Sequence, residues 1–454
     1  MIIDFEFSNH RSFKDTQSFS MRRDTSLQNS KPSVYARDID EGLSMVSAVY
    51  GANASGKTNF FDAINTLKGK VTDAPTDNNE NMMTSEPFIG MSDKPSCFRI
   101  LFVASNKKKY IYELEITGSK VTYERLSMYT STHTSLVFER DIDSHEMNCG
   151  AMVPDKEKDA VPFFSEKNPD STILFFLRDS DNDDIKQAYL FIKRSLILRS
   201  IDSPSMHLSI LPEKIEKDKK LADILRALLP AADLGIQNIK LVKENESTIS
   251  LEERDIMLEA IRKIMKHRNP NISNDELDKK LNEDHDKLNA VFLHRIDGKL
   301  VEMKEGDESF GTLIATAFFS DLLPILLNGS VYIVDEIDRS LHPSLVAQII
   351  EIFNNNETNP NGAQLIFSTH DISLLDSSIY GEDLLDRDQV WFVEKDFDGM
   401  SDLYPLTRIK INGNASTRKD DNIYKKYIAG RYGALPKVSL ATEMLTFWER
   451  SSDE

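Results

Sequence analysis

The sequence predicts an α/β fold, and three stretches carry that prediction. An apolar run, MVSAVY at 45–50, feeds directly into GANASGKT, after which NFFDAINTLKG reads as a helix. Residues 97–129 hold three strand-like runs, SCFRILFVA, KYIYELEIT and KVTYERLSMY, with KKK and GS supplying turns, so they form an antiparallel meander. Far downstream the apolar strand VYIVD precedes a helix, SLVAQIIEIF, and QLIFSTH adds another short buried strand.

Taken in order, the chain opens with Ile3, Phe5 and Phe7 on one side and Asp4, Glu6 and Ser8 on the other, the alternation of a half-buried strand. After the first helix comes an irregular polar stretch, 71–96, and residues 141–170 read as a long polar loop. From about 181 the texture is helical, in DDIKQAYLFIKRSLIL and then EKDKKLADILRALLPAAD. Residues 251–267 and 274–292 read as a helical hairpin broken at NPNIS. Leu277, Leu281 and Leu288 make a packing stripe there with no chemistry assigned. Strand character returns at NAVFLHRI. Neither an internal repeat nor a coiled-coil arm of many heptads is present. This organisation predicts an N-terminal lobe over 1–178, a helical insert over 179–292 and a C-terminal lobe over 293–454.

At 454 residues the chain exceeds the size at which one hydrophobic core stops growing. Its net charge of −19 argues against a broadly basic surface for nucleic acid. Arg408–Lys437 runs the other way, with eight basic residues against Asp420 and Asp421. Together with Tyr424, Tyr427 and Tyr432 it reads as a solvated or partner-facing surface, with nucleic acid the lesser possibility. No apolar run is read as long enough to cross a bilayer, and MIIDFEFSNH lacks the layout of a secretory signal. Cys97 and Cys149 make neither a disulfide framework nor a zinc site. A cytoplasmic location, with no membrane partner, is expected.

The chemistry concentrates at Gly51-Ala-Asn-Ala-Ser-Gly56-Lys57-Thr58. A strand before it and a helix after it are the setting a phosphate-binding loop requires. Its glycines let backbone N–H groups converge on phosphates at a helix N-terminus, where the dipole favours anions. Asn53, Ala54, Ser55, Gly56, Lys57, Thr58 and Asn59 are therefore the candidate ATP-binding set. Lys57 would reach the β- and γ-phosphates and Thr58 would offer its hydroxyl to Mg²⁺. In VYIVDEID an apolar strand delivers two acids at its C-terminal end. Asp335 would hold Mg²⁺, and Glu336 would orient and polarise the attacking water.

Two further segments narrow the class. ESFGT at 308–312 lies just ahead of the apolar helix LIATAFFSDLLPILL, and His370 ends the strand QLIFSTH. This order resembles the ABC-type ATPase heads of the SMC and double-strand-break-repair proteins. The resemblance implies that Ser309 and Gly311 act as the signature serine and glycine, and that His370 is the switch histidine. It aligns Asp338 to His342 with the loop after the acidic strand. FSNHRSF at 7–13 resembles the N-terminal NFRSF strand of those heads, which puts Arg11 and Ser12 near the nucleotide. In such heads the insert is ordinarily a coiled coil, whereas here it is short.

A narrower resemblance rests on ADLGIQNI, DEIDRSLHPSL, NGAQLIFSTHD, RDQVWFVEKDFDGMSDLYPL and IAGRYGALP. These are similar to the ATPases of bacterial phage-defence operons, the AbiL-type and RloA-like proteins, with the PARIS ATPase and Septu PtuA as relatives. The resemblance implies an ABC-type head with an antiparallel meander and a compact helical insert. It implies ATP and Mg²⁺ as cofactors and a homodimer or higher homo-oligomer formed through the heads. It also implies a separately encoded effector, a nuclease or RloB-like protein. The alternative is an SMC-like ATPase of DNA repair or chromosome maintenance acting directly on DNA. A nuclease in the same chain is disfavoured, because the acids after His370, such as those of DLLDRDQ at 383–389, are too few for the domain it would need.

Overall fold

The computed structural model describes residues 1–27, 30–34, 42–72, 84–130, 133–142, 144, 146–199, 208, 210–243, 288–339, 341–411, 414–415, 422–436 and 440–452. It divides into two compact units, Met1–Ile201 with Ile325–Glu454, and Asp202–Pro324.

The first unit contains two sheets with a helix between them. Strands β1 (Ile2–Ser8) and β2 (Gln17–Ser20) pair antiparallel, and β3 (Val46–Tyr50) runs into helix α1 (Lys57–Thr72). Strands β4 (Ser96–Val103), β5 (Lys109–Thr117), β6 (Lys120–Tyr129), β7 (Thr134–Asp141) and β8 (Glu146–Cys149) follow. The predicted meander is thus the middle of a seven-stranded antiparallel sheet in the order β2-β1-β4-β5-β6-β7-β8. In β5 the buried positions alternate, putting Tyr110, Tyr112, Leu114 and Ile116 on the core face.

Between residues 141 and 170 the structure has β8 and helix α2 (Asp155–Lys167) where a long loop was expected. The helix is hard to read because Val161 is its only buried residue, so no apolar stripe marks it. Helices α3 (Ile173–Phe176) and α4 (Asp183–Leu190) follow, and a π turn at Phe191–Ser195 leads into β9 (Leu196–Arg199). LIL at 196–198, expected to be helical, therefore lies in an edge strand, paired in parallel with the strand Val331–Val334. Tertiary pairing overrides the local helical texture.

In the second unit, helix α5 (Leu211–Lys217) is followed by α6 (Lys219–Ala231). The Asp218 side chain caps α6 by accepting from the Lys220 and Leu221 N–H groups. Strands β10 (Ile236–Lys243), β11 (Leu288–Ile296) and β12 (Lys299–Lys304) make a three-stranded antiparallel sheet. The insert thus carries a sheet as well as helices. Leu288 lies in β11 rather than in a helical stripe, whereas Leu277, Leu281 and NPNIS fall outside the described residues. The unit's boundaries are also displaced from the expected 179 and 292, because β9 ties residues up to 199 to the first unit and β11–β12 belong to the second.

Helix α7 (Phe310–Asn328) spans the boundary between the units. Its nineteen residues include one charge, Asp321, so by length and composition it is apolar enough to cross a membrane, which the sequence reading missed. Over half of it is buried, and Asp321 pairs with Lys214 at 3.3 Å, as in a core helix.

The chain then adds β13 (Val331–Val334), α8 (Pro343–Phe353), β14 (Gln364–Ser368), the short α9 (Ser377–Tyr380), β15 (Val390–Lys395) and β16 (Ser401–Pro405). These complete a six-stranded sheet in the order β16-β15-β3-β14-β13-β9, parallel except for β16. Helix α1 packs between the sheets. Phe60 meets Phe5 and Phe19, and Phe19 meets Trp391 at 4.8 Å, so one core joins both layers. Truncating such a buried phenylalanine costs about 3–5 kcal/mol.

At the C-terminal end, β17 (Lys410–Ile411) pairs with β18 (Asn414–Ala415), and helices α10 (Ile423–Ile428) and α11 (Leu440–Ser452) follow. Tyr427 and Tyr432 are buried against Phe392, at 5.2 and 5.9 Å between ring centroids. They are core residues and not the interface aromatics the sequence suggested. Arg418, Lys419 and Lys437 lie outside the described residues.

Candidate nucleotide-binding site

The parallel sheet sets the site by register. Strand β14 lies between β3 and β13, with Ser368 beside Val49 and Phe367 beside Val334. Just past these pairs the chain leaves β3 after Tyr50 as the glycine-rich loop and β13 after Val334 as Asp335. The loop, the acidic turn and the segment Ser368–His370 therefore emerge together at the C-terminal edge, where open α/β sheets place their ligands.

The loop is built as a cradle. A Cβ on Gly51 would stand 2.4 Å from the Val393 carbonyl oxygen, so only glycine lets β15 approach this closely. Gly56 has φ +118°, and a Cβ there would meet Ser401 Oγ at 2.6 Å. Ala54 is also left-handed, at φ 60°. Lys57 is buried, and its ammonium donates to the carbonyls of Gly51 (2.9 Å) and Ala52 (3.1 Å). Burial lowers its pKa below the ordinary lysine value, against the opposing pull of Asp335, Glu336 and Asp338. Asn53, Ala54 and Thr58 are exposed at the rim.

The acidic turn is held from β14. Ser368 Oγ donates to the Asp335 carboxylate and accepts the Glu336 N–H at 2.7 Å, while its carbonyl accepts from Ile337 at 3.0 Å. Glu336 sits at φ 54°, a left-handed conformation that a side-chain-bearing residue holds at a cost of about 1–3 kcal/mol and only where neighbours enforce it. Asp338 accepts the His370 N–H at 3.2 Å. His370 Nε2 and Arg339 Nη1 each stand 3.9 Å from a Glu336 carboxylate oxygen, beyond direct hydrogen bonding. Sequence reading gave Ser368 no role, although the residue is recognisable as the small hydroxyl next to the strand end that carries His370.

The N-terminal motif approaches the loop from β1–β2. Asn59 donates to Ser12 Oγ at 2.7 Å, and Ser12 meets Ser401 Oγ at 2.8 Å. Arg11, by contrast, is occupied by acids: Nε donates to Asp62 at 2.6 Å and Nη2 to Glu86 at 2.9 Å. His10, where an aromatic is usual in the resembling heads, is fully buried. It bonds Asp62 at 3.0 Å and packs edge-on against Phe98. Burial pushes the Asp62 carboxyl up, but His10 and Arg11 outweigh it and leave its pKa below the usual value. Arg11, Ser12 and Asn59 also line a cavity of about 680 Å³ with Phe88, Ile89 and Lys395.

Ser309 and Gly311 belong to the start of α7. Ser309 Oγ accepts the Thr312 N–H at 3.1 Å and so caps the helix, and Gly311 lies in its first turn. Just before them, Glu308 bonds His294 of β11 at 2.6 Å. Lys57 and Ser309 thus lie in different units.

Nucleoside triphosphate and Mg²⁺ fit the residues present. The lysine ammonium has three donors, and the loop's own carbonyls take two. Thr58 and Asp335 supply hard oxygens of the kind Mg²⁺ takes from one or two protein groups alongside phosphates. Among the described residues no cluster of three or more His, Cys, Asp or Glu side chains could hold a metal without phosphates.

Loop, acidic strand and intervening β14 define the chain as a P-loop nucleotide-binding α/β protein. It belongs to the family described as AAA domain, putative AbiEii toxin, Type IV TA system, whose profile matches residues 46–376. No curated protein sequence matches it. Among solved structures it is similar to the recombination mediator protein RecF of the RecFOR pathway. The ATPrS form gives 13% identity and a TM-score of 0.36 over 89% of this chain and 98% of that one, and the ATP form gives 13% and 0.35 over 89% and 99%. The Smc head domain with a coiled coil and joint derived from Pyrococcus yayanosii is similar at 12% identity and a TM-score of 0.33, over 89% and 97%.

Proposed function

We propose that the protein is an ABC-type ATPase that hydrolyses ATP with Mg²⁺ and serves as the sensor or regulatory subunit of an antiphage system, controlling a separately encoded effector. The observation that carries the ATPase half is the order β3-β14-β13, which brings Lys57, Asp335, Glu336 and His370 to one sheet edge. Lys57 binds the β- and γ-phosphates. Thr58 and Asp335 would hold Mg²⁺, which would supply neutralisation of charge developing on the transferred phosphoryl group. Glu336 accepts a proton from the attacking water, and His370 stands by to orient the γ-phosphate. The strained backbone at Glu336 supports this role, since Ser368 holds the carboxylate-bearing residue in place before any ligand arrives.

The defence half is supported by the AbiEii wording of the family and by the segments shared with phage-defence ATPases. Its test is a phage challenge of cells carrying the gene with its neighbouring reading frame, as wild type and as Glu336→Gln. The proposal expects wild type to reduce plaque formation, the variant to lose that protection, and the neighbour's product to co-purify with the protein. Equal plaque formation with and without the wild-type pair would overturn the defence role. DNA binding with no co-purifying neighbour would favour the repair reading.

A further inference from the structure

We infer that Ser401 is a positioning residue for the phosphate loop, acting through the hydrogen bond its hydroxyl donates to the Ser55 carbonyl. This rests on the reading of the loop as an ATP site.

Ser401 begins β16, far from the loop in sequence and buried beside it in space. Its hydroxyl lies 2.6 Å from the Ser55 carbonyl oxygen and 2.8 Å from Ser12 Oγ. A carbonyl only accepts, so Ser401 must give it the single hydroxyl proton. The same hydroxyl is placed as a donor toward Ser12 Oγ, so its one proton is directed to the carbonyl at the shorter distance and to Ser12 at the longer. Ser12 in turn accepts from the Asn59 amide at 2.7 Å. Ser12 accepts from both Asn59 and Ser401, and these bonds link α1, the N-terminal motif, β16 and the loop. A backbone bond from Ser401 N–H to the Ser12 carbonyl at 2.8 Å holds the two serines in register.

The carbonyl it ends on matters because Ser55 C=O and Gly56 N–H belong to one planar trans peptide and point in opposite directions. Pinning the carbonyl toward Ser401 turns the Gly56 N–H away from Ser401. Gly56, at φ +118°, is the loop residue whose peptide can most easily rotate. Ser401 therefore stops that rotation and keeps a phosphate-binding N–H aimed before the ligand arrives. Ser12 and Asn59, expected to touch nucleotide, act here through the loop.

The test is ATP binding to the full chain by calorimetry, with Lys57→Ala as the blank and melting temperature as a control. Loss of one neutral hydrogen bond that orients the loop predicts a Kd about threefold to tenfold higher for Ser401→Ala. Ser401→Thr, which keeps the hydroxyl, should bind within about twofold of wild type. Ser12→Ala should weaken binding by a smaller factor, and the double variant should lose less than the product of the two losses. Unchanged affinity in Ser401→Ala, or a threonine variant as weak as the alanine one, overturns the inference. If Ser401→Ala does not fold, unchanged affinity in Ser12→Ala overturns it instead. A wild-type protein that binds no ATP would reject the site reading and this inference with it. Binding in wild type with no effect of either serine rejects the inference alone.

Discussion

Ser368 anchors Glu336: its hydroxyl accepts the Glu336 N–H at 2.7 Å while donating to the adjacent Asp335 carboxylate. One side chain on β14 thus fixes both the metal-side acid and the left-handed backbone of the proposed base. Ser368→Ala is expected to lower kcat for ATP hydrolysis by roughly tenfold to a hundredfold, the worth of a hydrogen bond to a charged group. KM should change little, since neither lost bond touches the phosphate loop. Steady-state hydrolysis with Mg²⁺ checks this. A variant with wild-type kcat would remove Ser368 from the catalytic turn.

Lys57 gives the pH dependence. Its pKa is lowered by burial, so the ammonium is lost at a lower pH than in free lysine. Only the charged form attracts phosphate. ATP affinity should therefore be full below this lowered pKa and fall as pH rises through it, before the ordinary value of 10.5 is reached. Lys57→Ala should remove binding at every pH, whereas Glu336→Gln should keep binding but stop turnover, with the fall in affinity moved to lower pH because a carboxylate that raises the Lys57 pKa is gone. Titrating Kd against pH for the three proteins decides it. An affinity that stays flat up to pH 10.5 in wild type would show that the lysine charge is not what holds the nucleotide.

The phosphate loop and the acidic strand were legible because each is contiguous: an apolar strand, a glycine-rich or acidic end, then a helix. Alternation made β1 and β5 equally plain. Illegible features were those whose meaning is set by contacts distant in sequence. Ser401 looks like any polar residue after a turn, yet it lies against Ser12 and Ser55. LIL at 196–198 carries helical texture on one side and lies in an edge strand because β13 offered a partner. Helix α2 escaped notice since a surface helix with one buried residue shows no period. Tyr427 and Tyr432 were misread for a related reason. Aromatics in a basic stretch suit an interface, but here they fill the space beside Phe392.

Lys57 belongs to one compact unit and Ser309, capping α7, to the other. If the signature acts on the nucleotide of a second copy, Lys57→Ala and Ser309→Arg should each abolish hydrolysis alone. Mixed in equal amounts with full exchange, they form mixed dimers in half of all pairings. Each mixed dimer holds one intact site of two, so activity should return to about a quarter of wild type. Ser309→Arg also removes a helix cap, at a cost of about 0.5–2 kcal/mol, so its melting curve must show a folded protein. Hydrolysis and light scattering measured on the same mixture give the answer. Recovery near a quarter supports a shared site. No recovery in a mixture shown to contain mixed dimers would mean that each chain completes its own.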